Sequence, residues 1–360
     1  MKLLTGSINF DLKYIRYILL FPLGLIYGWI AICRRWLYDH IFQRYQPSIP
    51  TICMGNIAVG GTGKTPHIEY LIQLLSTQYT IATLSRGYKR KSVGFLSTKQ
   101  KEVMLSATTL GDEPWQLHTK YPNIQVAVCE KRSIGIQQIM KLQPTTEVIL
   151  LDDAFQHIQV KCGLYILLTE FSAPLYSDFP LPAGNLREFK SAMKYAHIII
   201  VTKCPNNLTI EQRNHFLQKL NIGAHQHCFF TSIRYKTYQP LSIKAQQFTF
   251  NKTSPILVVT GIAHPKPLIQ QLNKQFSNIT TLLFADHHTF TPSELTKINH
   301  WLTSHPNGAI MTTDKDAARF SCFPNTINKW PIFSIPIDIH FLYDEEYIFQ
   351  EQILKYLTNN

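Results

Sequence analysis

Short apolar runs alternate with amphipathic segments through the middle of the chain, which is the pattern of an α/β protein. Residues 50–57 predict a strand, and residues 64–76 predict a helix with one apolar face. Similar apolar runs predict strands at 80–84, 125–129, 147–151, 165–169 and 197–202, and amphipathic segments predict helices at 113–119, 131–141 and 209–219. Because these strands are almost wholly apolar, we predict a mainly parallel sheet with helices on both faces.

The pattern changes at residues 232–253, where Tyr, Phe and Ile alternate with Lys, Gln, Thr and Ser as in an extended ribbon. A second strand and helix series follows, at 256–260, 266–276, 280–284, 293–303 and 309–312. We therefore predict an N-terminal segment (1–40), a core domain (41–238) and a smaller C-terminal α/β domain (239–360) joined by a ribbon-like linker.

The run Tyr17–Cys33 contains seventeen residues without a charge, and basic residues stand on both sides of it. A spanning helix needs about 20 apolar residues, and Pro22, Gly24 and Gly28 disfavour a straight helix. No small-residue cleavage site follows, which argues against a signal peptide. The basic flanks suit a segment lying in the membrane interface, while the alternative is a helix buried against the domain. The length of the uncharged run favours membrane association.

Composition agrees with lipid contact, since only 16% of the 360 residues are charged, against about a quarter in soluble domains. The net charge of +12 would attract any phosphate-bearing partner. Basic residues are dispersed and no nucleic-acid motif occurs, so we predict no nucleic-acid partner and no stable protein partner. Seven scattered cysteines without a Cys-x-x-Cys pair indicate a reducing compartment and disfavour zinc.

A glycine-rich loop lies between the first predicted strand and the first predicted helix. In such a loop, backbone N–H groups cradle phosphates, the lysine reaches the β- and γ-phosphates, and the following hydroxyl binds Mg²⁺. The alternative, a glycine-rich turn with an incidental lysine, is disfavoured by the strand and helix flanks. Ala58 replaces the usual first glycine, and a small residue is compatible there. The predicted nucleotide site comprises Ala58, Val59, Gly60, Gly61, Thr62, Gly63, Lys64 and Thr65.

Two aspartates, Asp152 and Asp153, end the apolar run 148–151. A carboxylate at the end of a buried strand is the expected second Mg²⁺ ligand of a P-loop site, so we predict Thr65, Asp152 and Asp153 as metal ligands. Adjacent strand residues point to opposite sides, which leaves a helix cap or turn role open for one of the pair.

Several longer strings carry a resemblance to a known family. The sequence is MGNIAVGGTGKTP at 54–66 and DDAFQH at 152–157, and the order continues with SRGY (85–88), GDEP (111–114), LPAGNLRE (181–188), GIAHP (261–265), DHH (286–288) and TDKDA (313–317). Together these strings closely resemble the tetraacyldisaccharide 4′-kinase family over nearly the whole chain. Two positions depart from its pattern: Ala154 where glycine is common, and Phe189 where proline is usual.

The resemblance implies ATP- and Mg²⁺-dependent phosphorylation of the 4′-hydroxyl of a tetraacyl glucosamine disaccharide 1-phosphate, forming lipid IVA. The resemblance also implies that the protein is active at the cytoplasmic face of the inner membrane, with its N-terminal segment on the membrane surface.

For catalysis the resemblance implies Asp112 as base, His287 as its partner and Lys64 on the phosphates. From the residues alone, we would interpret Asp112 as an ordinary helix N-cap. The substrate-binding candidates are Gln156, His157, Arg86, Arg132 and Arg187, with Lys131 a further candidate; surface charge or core packing is the alternative for each.

A rival interpretation is a membrane-associated P-loop regulatory NTPase, a GTPase or ATPase switch. The string Val201-Thr202-Lys203 resembles part of the guanine-reading motif of GTPases. Pro205 stands where that motif needs an aspartate, and it cannot accept hydrogen bonds from guanine. This position argues against GTP.

Overall fold

The computed structural model describes residues 5–100, 104–286 and 288–359. Its α-helices are α1 (Thr5–His40), α2 (Lys64–Leu75), α3 (Ala107–Leu110), α4 (Asp112–Lys120), α5 (Arg132–Leu142), α6 (Ile210–Leu220), α7 (Ile243–Gln246), α8 (Lys266–Asn273), α9 (Pro292–Ser304), α10 (Asp314–Phe320), α11 (Pro324–Ile327) and α12 (Glu346–Thr358). Its strands are β1 (Thr51–Asn56), β2 (Ile81–Ser85), β3 (Leu96–Ser97), β4 (Gln125–Val128), β5 (Val148–Asp152), β6 (Leu164–Glu170), β7 (Ile198–Thr202), β8 (His227–Tyr235), β9 (Gln239–Pro240), β10 (Ile256–Thr260), β11 (Ile279–Leu283), β12 (Ala309–Thr313), β13 (Ile332–Ile335) and β14 (Ile337–Phe341).

The chain divides into two compact units, each built from separate stretches of sequence. The first unit comprises residues 1–86, 124–233 and 339–360, and the second comprises 87–123 and 234–338. The linear division predicted from the sequence therefore differs from these units in two segments. Residues 87–123 group with the second unit because α4 packs on α10, and the C-terminal helix α12 groups with the first.

The first unit is organised around a sheet with the strand order β14-β8-β7-β6-β1-β5-β2-β4. The strands from β8 to β4 pair in parallel, and β1 lies between β5 and β6. The register places Met54 beside Asp152. The carboxyl ends of β1 and β5 therefore lie side by side, which is where ligands bind in open α/β sheets. The predicted class, a P-loop-like α/β fold with a mainly parallel sheet, is confirmed.

The second unit contains a five-stranded sheet in the order β11-β10-β12-β13-β9, parallel except for β9. Alternate residues of β10 enter two cores: Ile256 and Val258 pack with α8, whereas Leu257 and Val259 pack with α9. This period of two shows that helices cover both faces of this sheet. The strand and helix series predicted at 256–312 is confirmed, while the predicted ribbon at 232–253 also contains α7.

The N-terminal helix α1 is longer and more regular than its glycines and Pro22 suggest, since it runs without a break from Thr5 to His40. Its buried residues Gly24, Gly28 and Arg35 fall on one stripe of the helix. An added Cβ at Gly28 would lie 2.2 Å from the Phe189 ring, and one at Gly24 would lie 2.9 Å from the Pro180 carbonyl. The two glycines therefore permit close packing of α1 on the segment 179–189.

The opposite side of α1 presents large apolar side chains to the outside. Exposed fractions reach 73% for Ile18 and 60% for Trp29, and the further exposed residues are Leu19, Phe21, Leu23, Ile26, Tyr27, Ile30, Ile32 and Trp36. By length and composition, the 24 residues Tyr17–His40 could cross a membrane, and this stretch is only 11% buried. The burial alternative considered from sequence therefore applies to one stripe of the helix only.

Candidate active site

The glycine-rich loop leads from the end of β1 into α2, as the sequence predicts. Gly63 precedes the helix with φ 85° and ψ 24°, a left-handed conformation that favours glycine. At Gly60 and Gly61, an added Cβ would meet no heavy atom of the described residues within 4 Å. The outer side of the loop is therefore open, and its backbone can approach a ligand closely.

The base of the loop is held by the segment that also packs on α1. The Val59 N–H donates to the Asn185 carbonyl at 2.8 Å, and the Arg187 N–H donates to the Ile57 carbonyl. The buried Asn56 side chain donates to the Ala58 carbonyl at 2.8 Å. Asn56 had no role assigned from sequence, although it lies within the string 54–66 that carries the resemblance.

Lys64, Asp153 and Arg187 form a charged cluster in front of the loop. The Lys64 Nζ lies 3.5 Å from Asp153 Oδ1, and Arg187 Nη1 lies 3.1 Å from both carboxylate oxygens. Burial raises the pKa of Asp153, but the charges of Lys64 and Arg187 outweigh it and hold that pKa below its ordinary value. Arg187 also reaches Gln156, whose amide donates to the Asn56 carbonyl at 2.8 Å.

Arg132 lies behind the acidic pair and is 1% exposed. Its Nη1 donates to the Cys129 carbonyl at 2.6 Å, and its Nη2 donates to the Asp152 carbonyl at 3.4 Å. Burial lowers the pKa of this guanidinium to about 10, against the opposing charges of Asp152 and Asp153. Arg132 therefore supports the end of β5, with its guanidinium directed at backbone carbonyls.

His157 lies among three arginines that come from different elements. Burial, followed by the charges of Arg132, Arg34 and Arg86, lowers its pKa to about 4, so the ring is neutral at physiological pH. Its Nδ1 is buried and has no hydrogen-bond partner within the described part of the chain. A buried, unsatisfied ring nitrogen near arginines is suited to a polar or anionic ligand. The sequence had identified Arg34 only as a basic residue that follows the uncharged run Tyr17–Cys33.

In the second unit, Asp112 begins α4 and is held by a buried arginine. Its Oδ2 accepts from Arg319 Nη2 at 2.8 Å and from Arg319 Nε at 3.2 Å. Arg319 Nη1 also donates at 2.7 Å to Asp316, which is fully buried. Sequence reasoning missed Arg319, because 207 residues separate it from Asp112 and its only signal was its place just after the string 313–317.

The histidine pair of the string 286–288 is only half described. His287, the predicted partner of Asp112, lies outside the described residues. His288 is engaged within its own unit: its Nε2 lies 2.9 Å from Glu294 Oε2, and its ring stacks on Phe284 with centroids 4.3 Å apart. Among the residues that the structure describes, no group of three or more His, Cys, Asp or Glu side chains could hold a metal.

Lys203, in the string that resembles the guanine-reading motif, forms an ion pair with Glu170. Lys203 Nζ lies 2.9 Å from Glu170 Oε2, and the preceding Thr202 hydroxyl donates to the Thr62 carbonyl at 2.8 Å. Thr202 thus supports the P-loop from β7, and Lys203 pairs with Glu170 of β6. These contacts differ from the base-reading role of a GTPase motif.

A P-loop at the end of β1, with two aspartates at the end of the adjacent parallel strand β5, defines a P-loop nucleotide-binding protein. The model of the family described as tetraacyldisaccharide-1-P 4'-kinase matches residues 16–358. The chain belongs to this family, and the resemblance predicted from its motifs is confirmed.

Individual relatives agree over nearly the full length. The tetraacyldisaccharide 4'-kinase of Bacteroides thetaiotaomicron is 40% identical over 358 residues, covering 95% of this chain and 93% of that protein. The protein of the same name from Flavobacterium psychrophilum is 42% identical over 344 residues, covering 95% and 97%. The crystal structure of LpxK from Aquifex aeolicus in complex with ATP has a TM-score of 0.71 at 24% identity, covering 95% of this chain and 99% of that chain. The last comparison establishes similarity of fold.

Proposed function

We propose that this chain transfers the γ-phosphate of ATP to the 4′-hydroxyl of a tetraacyl glucosamine disaccharide 1-phosphate, forming lipid IVA. The observation that carries the proposal is the open P-loop with Lys64 facing Asp153 and Arg187, on a chain whose family bears the name of this reaction. The relatives bearing that name match 95% of the chain, so the similarity covers both units.

On the donor side, residues 58–65 would bind the triphosphate through backbone N–H groups, with Lys64 and Arg187 opposing its negative charge. Thr65, Asp152 and Asp153 offer a hydroxyl and two carboxylates, the oxygen donors that Mg²⁺ prefers, so they fit this ion. Bound Mg²⁺ would supply further neutralisation of phosphate charge. Asp153 already keeps Lys64 and Arg187 together, which places the two cations for the incoming nucleotide.

On the acceptor side, Asp112 is the proposed base, and His287 its proposed partner. The 4′-hydroxyl oxygen would form a bond to the γ-phosphorus, the bond from that phosphorus to the ADP oxygen would break, and Asp112 would take the hydroxyl proton. The two Arg319 hydrogen bonds to Oδ2 support this role, because they restrict the orientation of the carboxylate.

The His157 environment is the proposed polar subsite for the lipid. Arg34 and Arg86 are exposed and carry the positive charge that a sugar 1-phosphate needs, while the neutral His157 Nδ1 offers one further hydrogen bond. Arg132 and Gln156 would contribute from behind, since both are hydrogen-bonded to backbone carbonyls at this edge of the sheet.

The apolar outer face of α1 is proposed to lie in the cytoplasmic face of the inner membrane, next to the acyl chains of the substrate. Ten exposed large apolar side chains on one helix, from Ile18 to Trp36, would otherwise be unfavourable in water. Arg34, at the end of the uncharged run, would then lie close to the lipid headgroups.

The test is to incubate purified protein in detergent with γ-labelled ATP, Mg²⁺ and the disaccharide 1-phosphate, and to measure label in the lipid. We expect label at the 4′ position with wild type, its loss in Lys64→Ala, and no change in the control Lys219→Ala, an exposed lysine of α6. Hydrolysis of ATP without transfer to the lipid would overturn the proposal and favour the regulatory NTPase instead.

A further inference from the structure

His67 lies on the first turns of α2, immediately behind the P-loop, and is only 3% exposed. Its Nδ1 lies 2.7 Å from the Gly63 carbonyl oxygen, and its Nε2 lies 3.0 Å from the Thr231 hydroxyl of β8. The imidazole therefore links the last glycine of the loop to β8, which lies three strands away from β1 in the same sheet. His67 thus contacts the proposed nucleotide site at the Gly63 carbonyl, while neither His67 nor Thr231 is itself among the residues proposed above to bind phosphate, metal or lipid.

The hydrogen bonds determine the tautomer of this ring. A carbonyl oxygen can only accept, so Nδ1 must carry the proton, and Nε2 of the neutral ring then accepts from the Thr231 hydroxyl. Burial lowers the pKa of His67 to about 4, which keeps the ring neutral across the physiological range.

A second side chain holds the preceding carbonyl in the same way. The Thr202 hydroxyl donates to the Thr62 carbonyl at 2.8 Å, and Thr202 is 1% exposed. The carbonyls of Thr62 and Gly63 are thus both bonded to the protein interior. In a planar trans peptide the N–H group points away from the C=O group. These bonds therefore turn the N–H groups of Gly63 and Lys64 in the opposite direction, as phosphate binding requires.

We propose that His67 is a positioning residue for nucleotide binding, which with Thr231 and Thr202 holds the P-loop carbonyls inward so that the loop N–H groups face the phosphates. Gly63 has a left-handed backbone, and a peptide next to glycine can rotate at little steric cost. Buried hydrogen bonds to its carbonyl oppose that rotation before any nucleotide arrives. This inference rests on the proposed nucleotide site and is independent of the acceptor lipid.

The test measures the Kd of MgATP by calorimetry in His67→Phe, which keeps a ring of similar shape and removes both hydrogen bonds. We expect Kd to rise about 5- to 30-fold, because the Gly63 carbonyl loses the buried side-chain bond that it accepts in addition to the first backbone bond of α2. His67→Asn keeps an amide nitrogen near the Nδ1 position and should recover part of the affinity. Thr231→Val should also raise Kd, but by a smaller factor. His215→Phe, on the exposed face of α6, is the matched control and should leave Kd unchanged.

Kinetics separate positioning from a purely structural role. The KM for ATP should rise in His67→Phe while the KM for the lipid stays unchanged. A lower melting temperature with unchanged Kd in both His67→Phe and Thr231→Val would overturn the inference. If His67→Phe does not fold, the Kd of MgATP for Thr231→Val alone decides whether the inference holds. Failure of the wild-type protein to bind MgATP would instead refute the proposed function itself.

Discussion

The ion pair between Arg35 of α1 and Glu188 is a buried link between the N-terminal helix and the rest of its unit. Arg35 Nη2 lies 2.8 Å from Glu188 Oε1, and Arg35 Nε lies 2.9 Å from Oε2. The two side chains are 7% and 9% exposed, and the guanidinium also donates to the Phe155 carbonyl and stacks over Tyr195. The guanidinium charge therefore lies in an environment with little water and makes three hydrogen bonds there.

Glu188→Gln removes one charge and leaves the buried guanidinium without its counter-ion. Breaking a buried pair in this way costs about 3–5 kcal/mol. Because α1 is otherwise largely exposed, we expect the loss to appear as local opening of this helix. Hydrogen exchange of peptides from residues 17–40, followed by mass spectrometry, should accelerate roughly 100- to 4,000-fold, since each 1.4 kcal/mol is a factor of ten.

Two controls make this prediction specific. Glu211→Gln changes an exposed glutamate of α6 and should leave exchange in α1 unchanged. The double variant Arg35→Met with Glu188→Leu removes both charges together, so it should restore most of the protection. Wild-type exchange in Glu188→Gln would refute the reasoning that this pair holds the helix.

Three further predictions concern other parts of the molecule. Gly28→Ala places a Cβ 2.2 Å from the Phe189 ring, so opening of α1 should become easier by about 1–3 kcal/mol and its exchange about 5- to 150-fold faster, whereas Ile30→Ala on the exposed face should not change the exchange rate. Asp112→Asn should lower turnover about 10²- to 10⁴-fold with unchanged MgATP affinity, and unchanged turnover would exclude it as the base. The pKa of His67 is about 4 when folded and near 6.5 when unfolded, so neutral His67 stabilises the fold above pH 6.5. That contribution of about 3 kcal/mol should be lost as pH falls from 6.5 towards 4, and urea unfolding at several pH values should show a weaker dependence in His67→Asn.

Local patterns were sufficient for nine of the fourteen strands that the structure describes and for the nucleotide loop, whereas no separate strand was predicted for β3, β8, β9, β13 or β14. The strand predicted at 50–57 is β1, and the helix predicted at 64–76 is α2, each within one residue at either end. Apolar runs specify buried parallel strands, and a contiguous motif carries its own geometry, so neither needed knowledge of distant residues. Alternation alone was less informative at 232–253, where strand end, short helix and loop follow one another.

The roles of single polar residues depended on partners that are remote in sequence. His67 fits the amphipathic pattern of α2, yet its partner Thr231 lies 164 residues away. Gly24 and Gly28 disfavour a helix by their intrinsic propensity, yet they permit the packing of α1 on residues 179–189. Arg132, a predicted substrate-binding residue, is only 1% exposed and donates to a backbone carbonyl.

The α/β class, the nucleotide loop and the family therefore follow from periodicity and contiguous motifs in the amino-acid sequence. The contact of Arg35 with Glu188, 153 residues further on, and that of Arg319 with Asp112, 207 residues away, are visible only in the folded chain. The same holds for the grouping of residues 87–123 with the second unit. Such pairings follow from how the strands and helices pack, and no local pattern in the chain specifies which distant side chains that packing brings together.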